Sequence, residues 1–204
     1  MPRRTPPDRK EVILTAARAE FAARGYAGTR MEDVAARVGI SKATLYLQFA
    51  DKAALFRELV DWMLATRLPA ALPPEMESAP PAAQLEALVR FGAKQLAEPE
   101  IAFLPRLVIG EGGNFPEMAR TYHDRAVNVI LTLVEAIIAR GVESGEFRAV
   151  DPHLAARSVA GALLLGALWK TVFEPVGADP VDMESLAASH IDVVLNGLLA
   201  GVRA

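Results

Sequence analysis

Residues 29–52 read T-R-M-E-D-V-A-A-R-V-G-I-S-K-A-T-L-Y-L-Q-F-A-D-K, and no other stretch leaves the chain so few ways to fold. Thr29 is a helix-cap residue with Glu32 three positions on. That is the spacing of a capping box, in which hydroxyl and carboxylate each satisfy a free backbone N–H. Val34, Ala35 and Val38 follow at helical spacing. Gly39 stands where this helix must stop, because glycine takes the left-handed conformation without steric cost. Ile40 is apolar and plugs the angle, and Ser41 caps a second helix predicted over Lys42 to Gln48. Two short helices about a tight turn make a helix-turn-helix, whose second helix lies in the DNA major groove.

The run G-I-S-K-A-T-L-Y-L-Q-F, followed by D-K-A-A-L-F and preceded by F-A-A-R-G-Y-A-G-T-R-M-E-D-V-A, resembles the DNA-binding segment of the TetR family of transcriptional repressors. The resemblance covers roughly residues 9–58. Further on, P-R-L-V-I-G-E-G-G-N-F-P-E-M-A-R is similar to one group of TetR-type regulatory domains. The resemblance implies an all-α chain of about nine helices, with a three-helix helix-turn-helix DNA-binding head over residues 1–58. A larger helical domain for ligand binding and dimerisation would occupy residues 59–204.

Within the third helix Leu45 and Phe49 are four apart and should face inward with Ile40. Lys42, Ala43, Thr44, Tyr46, Leu47 and Gln48 are then left for the DNA side. Lys42 suits a phosphate or guanine O6/N7, Gln48 an adenine edge or a phosphate, and Thr44 a phosphate or a thymine methyl. Arg30, at the positive end of the second helix, suits a phosphate or a base edge. The resemblance directs the Tyr46 hydroxyl and the Lys52 ammonium to phosphate. The cap residues Thr29 and Ser41 complete the DNA-binding set. Leu47 departs from the family, where an aromatic residue or histidine is common, and an aliphatic chain offers only apolar contact. Residues 1–7 read as a solvated tail, the alternative being that Arg3 and Arg4 add phosphate contacts or enter a minor groove as basic arms do.

Net charge is −3 over 204 residues, which looks wrong for a DNA binder. The distribution answers this. Residues 1–60 hold 11 Lys and Arg against 7 Asp and Glu, while residues 61–204 hold 11 against 18. A basic end on an acidic body is expected when only one end meets phosphate. The absence of cysteine excludes disulfides, thiolate catalysis and Cys-based metal sites. His123, His153 and His190 fall in three separate predicted helices with no ligand spacing. No HExxH, phosphate loop or nucleophile elbow is present, so neither an enzyme, a metal site nor a cofactor is expected. The N-terminus lacks the apolar core of a secretory signal. The longest apolar run, Val159 to Trp169, is shorter than the roughly 20 residues that span a bilayer. The expectation is a cytoplasmic protein with no membrane partner.

A fourth helix is predicted from Lys52 to Arg67, then Pro69, Pro73, Pro74, Pro80 and Pro81 interrupt the chain. Helices follow over Ala82 to Ala97, over Glu100 to Gly110 with a kink at Pro105, and from Phe115 to about Ser144. Asp151-Pro152 and Asp179-Pro180 open the last two, running to about Phe173 and Val202. These closing helices are apolar on more than one side and need a second surface to bury. A homodimer through them supplies it, and a palindromic operator needs that two-fold partner. The resemblance also implies a pocket for a small-molecule effector, with candidate lining residues Trp62, Met63, Phe91, Phe103, Arg106, Ile109 and Tyr122. Few charges fall among these, so the ligand is expected to be largely apolar, with Arg106 as an orienting group. The reading is a dimeric repressor released from double-stranded DNA by that ligand. The alternatives are an activator, a ligand-independent regulator, or a helical small-molecule-binding protein with a non-functional head.

Overall fold

The structure is a computed structural model that describes residues 9–67 and 78–198. Among these residues the chain is helical and contains no strand, as the sequence predicts. The helices are α1 (Arg9–Gly28), α2 (Met31–Val38), α3 (Lys42–Tyr46), α4 (Lys52–Arg67), α5 (Pro81–Ala97) and α6 (Pro99–Glu111). They continue with α7 (Pro116–Tyr122), α8 (Asn128–Glu143), α9 (Pro152–Leu168) and α10 (Met183–Leu198). A π-helical stretch, His123–Val127, joins α7 to α8, so that one helix runs over most of the span predicted from Phe115 to Ser144. A second, Trp169–Phe173, with a 3-10 turn at Glu174–Val176, extends α9. The arm at Arg3 and Arg4, the prolines at 69, 73 and 74, and the predicted end of the last helix at Val202 lie outside the described residues.

The described residues group into two compact units. One comprises 9–67 together with Leu107–Arg125, and the other 78–106 with 126–198. The boundary expected between 58 and 59 falls inside α4, which is unbroken there.

In the first unit Ile13, Leu14, Ala17 and Phe21 form the buried stripe of α1. Phe21 stacks on Tyr26 at 5.6 Å, and Phe56 of α4 meets both rings edge-on at 5.6 Å. Each such side chain, fully buried, stabilises by roughly 1.5–3 kcal/mol. The carboxylate of Glu20 is buried among them, accepts from Arg37 of α2 at 2.7 Å, and lies 3.0 Å from Arg24. It ties α1 to α2 as a paired charge, since an unpaired one would be costly inside.

The second unit is held by one core. Leu85, Val89 and Ala93 of α5 meet Val134, Ile137 and Ile138 of α8, Ala156, Val159 and Leu163 of α9, and Met183, Ala187 and Ile191 of α10. Asp151 caps α9, its carboxylate accepting from the His153 N–H at 2.8 Å and the Leu154 N–H at 3.3 Å. The last helix begins later than Asp179-Pro180 suggests. Asp182 caps it, accepting from the Ser185 N–H at 2.8 Å, while the Asp179 carbonyl accepts from the Trp169 indole at 2.8 Å and stays in the loop. Among the described residues one helix, Pro152–Val176, is long and apolar enough by length and composition to cross a membrane, a test that the core helix of a globular protein also passes. Its most apolar window is only 22% buried, and Leu154, Leu164, Leu165, Val172 and Phe173 are exposed along it.

Candidate nucleic-acid interface

The reading head is built from the turn before α2 to the start of α4. Gly25 has φ 73° and ψ 178°, which breaks α1 and frees its neighbours' backbone groups. The Thr29 hydroxyl donates to the Gly25 carbonyl at 2.7 Å, and Thr29 is 2% exposed. The capping box expected at Thr29 and Glu32 is therefore not formed. Arg30, in extended conformation, takes the N-cap position without a side-chain bond. The broken end of α1 offers Thr29 a nearer acceptor, and its side chain is buried. Arg30 itself is exposed beside the α2 N-terminus.

The turn is formed as its residues predict. Gly39 is left-handed at φ 78°, and its N–H and that of Ile40 close on the Ala36 and Ala35 carbonyls at 3.1 and 3.0 Å. The Ser41 hydroxyl caps α3, accepting from the Thr44 N–H at 3.1 Å and lying 2.8 Å from the Thr44 hydroxyl. The regular helix ends at Tyr46, two residues earlier than expected, and Leu47 and Gln48 continue in a turn. Leu45 and Phe49 are buried at 0% and 3% exposure and anchor the helix. Lys42, Ala43, Tyr46, Leu47 and Gln48 are exposed on its outer side, Leu47 at 87%. Thr44 is half-buried.

Two lysines are placed differently. Lys42 pairs with Glu32 of α2, and its Nζ lies 5.5 Å from the centre of the Tyr46 ring. The hydrogen bond between them raises the Lys42 pKa and lowers that of Glu32, so both stay charged. Lys52 does not join this outer row. Its ammonium donates to the Tyr26 carbonyl at 2.6 Å and the Thr29 carbonyl at 3.1 Å, and lies 4.6 Å from the Tyr26 ring centre. Burial lowers its pKa, the nearby Glu111 and Glu117 carboxylates opposing the shift. In this structure Lys52 fastens the α1–α2 turn. Glu32 and Glu111 carry parts of the geometry that the sequence reading missed. The signal for Glu111 was its place in G-E-G-G-N-F-P, between a helix and a glycine break.

The seven candidate effector residues are divided between the units. Trp62, Met63, Ile109 and Tyr122 belong to the first, and Phe91, Phe103 and Arg106 to the second. Met63 and Phe103 are buried, Trp62, Phe91 and Tyr122 part-buried, and Arg106 and Ile109 exposed. The Trp62 indole nitrogen is buried without a hydrogen-bond partner. Trp62 lines an open cleft of about 350 Å³ with Lys10, Glu11, Leu14, Glu58, Asp61 and Ala65. None of the other six candidates lines it, and its charged rim differs from the apolar pocket expected. Tyr122 is part-exposed as a residue, yet burial pushes its phenol up to about 12.

Residues 13–59 match the model of bacterial regulatory proteins of the tetR family. Residues 83–197 match that of the AefR-like transcriptional repressor C-terminal domain. No curated protein sequence matches the chain. Solved structures do. A TetR family transcriptional regulator from Pseudomonas syringae pv. tomato is 26% identical, with a TM-score of 0.74 over 95% of this chain and 98% of that one. AibR in complex with isovaleryl coenzyme A and operator DNA is 22% identical, with a TM-score of 0.69 over 91% and 97%. FadR from Bacillus subtilis in complex with stearoyl-CoA is 19% identical, with a TM-score of 0.68 over 92% and 98%.

Proposed function

This chain belongs to the TetR family of bacterial regulatory proteins, and on that premise we propose that it is a dimeric repressor released from a palindromic operator by a small ligand with an apolar body. One observation carries the reading. The outer side of α3 and of the turn that follows it holds a cation, a phenol, an aliphatic chain and an amide, with Leu45 and Phe49 locked beneath them. An exposed row of this kind on a short, capped, anchored helix suits base edges and phosphates better than any intramolecular contact. Lys42, Tyr46 and Arg30 supply phosphate contacts, and Gln48 with Leu47 meets base edges.

The second unit supports the dimer. Leu154, Leu164 and Leu165 on α9, Phe173 beyond it and Val193 on α10 are exposed apolar side chains on the two closing helices. A surface so apolar on consecutive helices is expected to be covered, and a second copy with two-fold symmetry matches a palindrome. For the ligand, the candidates are Trp62, Met63, Phe91, Phe103, Arg106, Ile109 and Tyr122. AibR and FadR were each solved with an acyl-CoA thioester. Acyl thioesters are therefore the first class to assay. A ligand releases DNA only through its differential affinity for the two conformations.

The test is selection of duplexes by the purified protein from a random pool. A palindrome with half-sites about 34–36 Å apart is expected, and affinity for it should fall when a matching acyl thioester is added. Enrichment of no sequence at all would remove the DNA-reading role. An affinity indifferent to every acyl chain length would remove the acyl thioester.

A further inference from the structure

The stretch Glu111 to Phe115 has no part in reading DNA, yet it is bonded to the head. Glu111 is the last residue of α6. Its two carboxylate oxygens accept from consecutive backbone N–H groups of the α1–α2 turn, Tyr26 at 2.9 Å and Ala27 at 2.7 Å. Those donors are free because Gly25 breaks the helix there. The φ of 73° at that position favours glycine, and the Glu111 carboxylate occupies the space that a Cβ would take. Four residues on, the Phe115 ring packs against Tyr26 at 4.9 Å, and the Lys52 ammonium lies 5.7 Å from its centre. Gly112, which follows Glu111, is also closely enclosed, since a Cβ there would lie 2.5 Å from the Val108 carbonyl.

The Gly25 carbonyl is taken by Thr29, the Tyr26 and Thr29 carbonyls by Lys52, and the Tyr26 and Ala27 N–H groups by Glu111. This turn sets where α2 begins, and α2 through the Gly39 turn sets α3. We propose that Glu111 is a positioning residue for operator recognition, holding the α1–α2 turn so that α3 is presented in its reading orientation. Charge-assisted bonds of this kind tolerate only a few tenths of an ångström. The proposal rests on the DNA-reading role above.

Glu111→Gln preserves size but replaces one acceptor with an amide that faces another N–H. The experiment measures anisotropy of labelled selected duplex and of scrambled duplex over a salt series, for wild type and Glu111→Gln, with dimer state and melting temperature recorded. We expect the variant to bind the selected duplex about tenfold or more weakly. Affinity for scrambled duplex and its salt slope should stay unchanged, because the phosphate-contacting groups remain. Equal affinity for the selected duplex, or a parallel loss on both duplexes, overturns the proposal. A wild type that selects no duplex refutes the DNA-reading role itself, a separate outcome. Amide exchange in the wild type gives a reading that needs no variant. The Tyr26 and Ala27 amides should be protected as strongly as those at the end of α6, and fast exchange of both overturns the bond.

Discussion

At the scale of single residues, side chains that look alike in the sequence act differently. Lys42 and Lys52 are both family-like lysines near the reading helix, but only Lys42 is on its outer side, held by Glu32. Lys42→Ala and Tyr46→Ala are each expected to abolish operator binding in a mobility-shift assay while sedimentation shows an unchanged dimer. Full operator binding by both variants would discard the outer face of α3 as the reading surface. Lys52→Ala should act otherwise, because its loss leaves the part-buried Tyr26 and Thr29 carbonyls without that donor. The expected signature is a lower melting temperature with the stability cost of one charge-assisted hydrogen bond, about 1.5–3 kcal/mol. Leu47 is 87% exposed and its aliphatic side chain offers no hydrogen bond.

At the scale of elements, glycines show which helix positions are constrained by neighbours. Gly141 in α8 faces the ring of Phe147, and a Cβ there would lie 2.1 Å from it. The chain leaves α8 and returns so closely that the Phe147 N–H reaches the Gly141 carbonyl at 2.8 Å. Gly141→Ala should therefore cost about 1–3 kcal/mol in urea denaturation. Gly110 in α6 has open space around its missing Cβ, so Gly110→Ala should gain up to about 1 kcal/mol through helix propensity. Opposite signs are expected, and two equal losses would contradict the packing described. The π-helical stretches that join α7 to α8 and extend α9 were not predicted, because the apolar pattern passes through them without a break.

At the scale of the whole molecule, two predictions concern association and pH. Leu165→Asp places a charge amid the exposed apolar side chains of α9, and should yield a monomer in sedimentation velocity that no longer binds a palindrome tightly. A dimer that survives this and Val193→Asp would place the subunit interface elsewhere. The second concerns alkali. Burial, with Glu117 and Asp51 nearby, pushes the Tyr26 phenol up to about 12, and burial alone does the same at Tyr122. Unfolded tyrosine ionises near its ordinary value of about 10, so this stability is present below pH 10 and lost as pH rises towards 12. Urea midpoints should fall between pH 10 and 12, and less so in Tyr26→Phe, whose ring retains the stacking. An identical fall in that variant would assign the effect to other groups.

Local chemistry alone settled the helical class, the Gly39 turn, the Ser41 cap and the inward pair Leu45 and Phe49, because each depends on residues within a turn or two of one another. A cap signal was less decisive at Asp179-Pro180, where the structure caps the helix with Asp182 instead. Only the tertiary structure decided that Thr29 is buried, that Lys52 turns inward, and that Glu111 grips a turn 84 and 85 residues away. Those outcomes depend on which distant group reaches a broken helix end first. Such a contact is fixed by the packing of whole helices, and no periodicity in the chain encodes it.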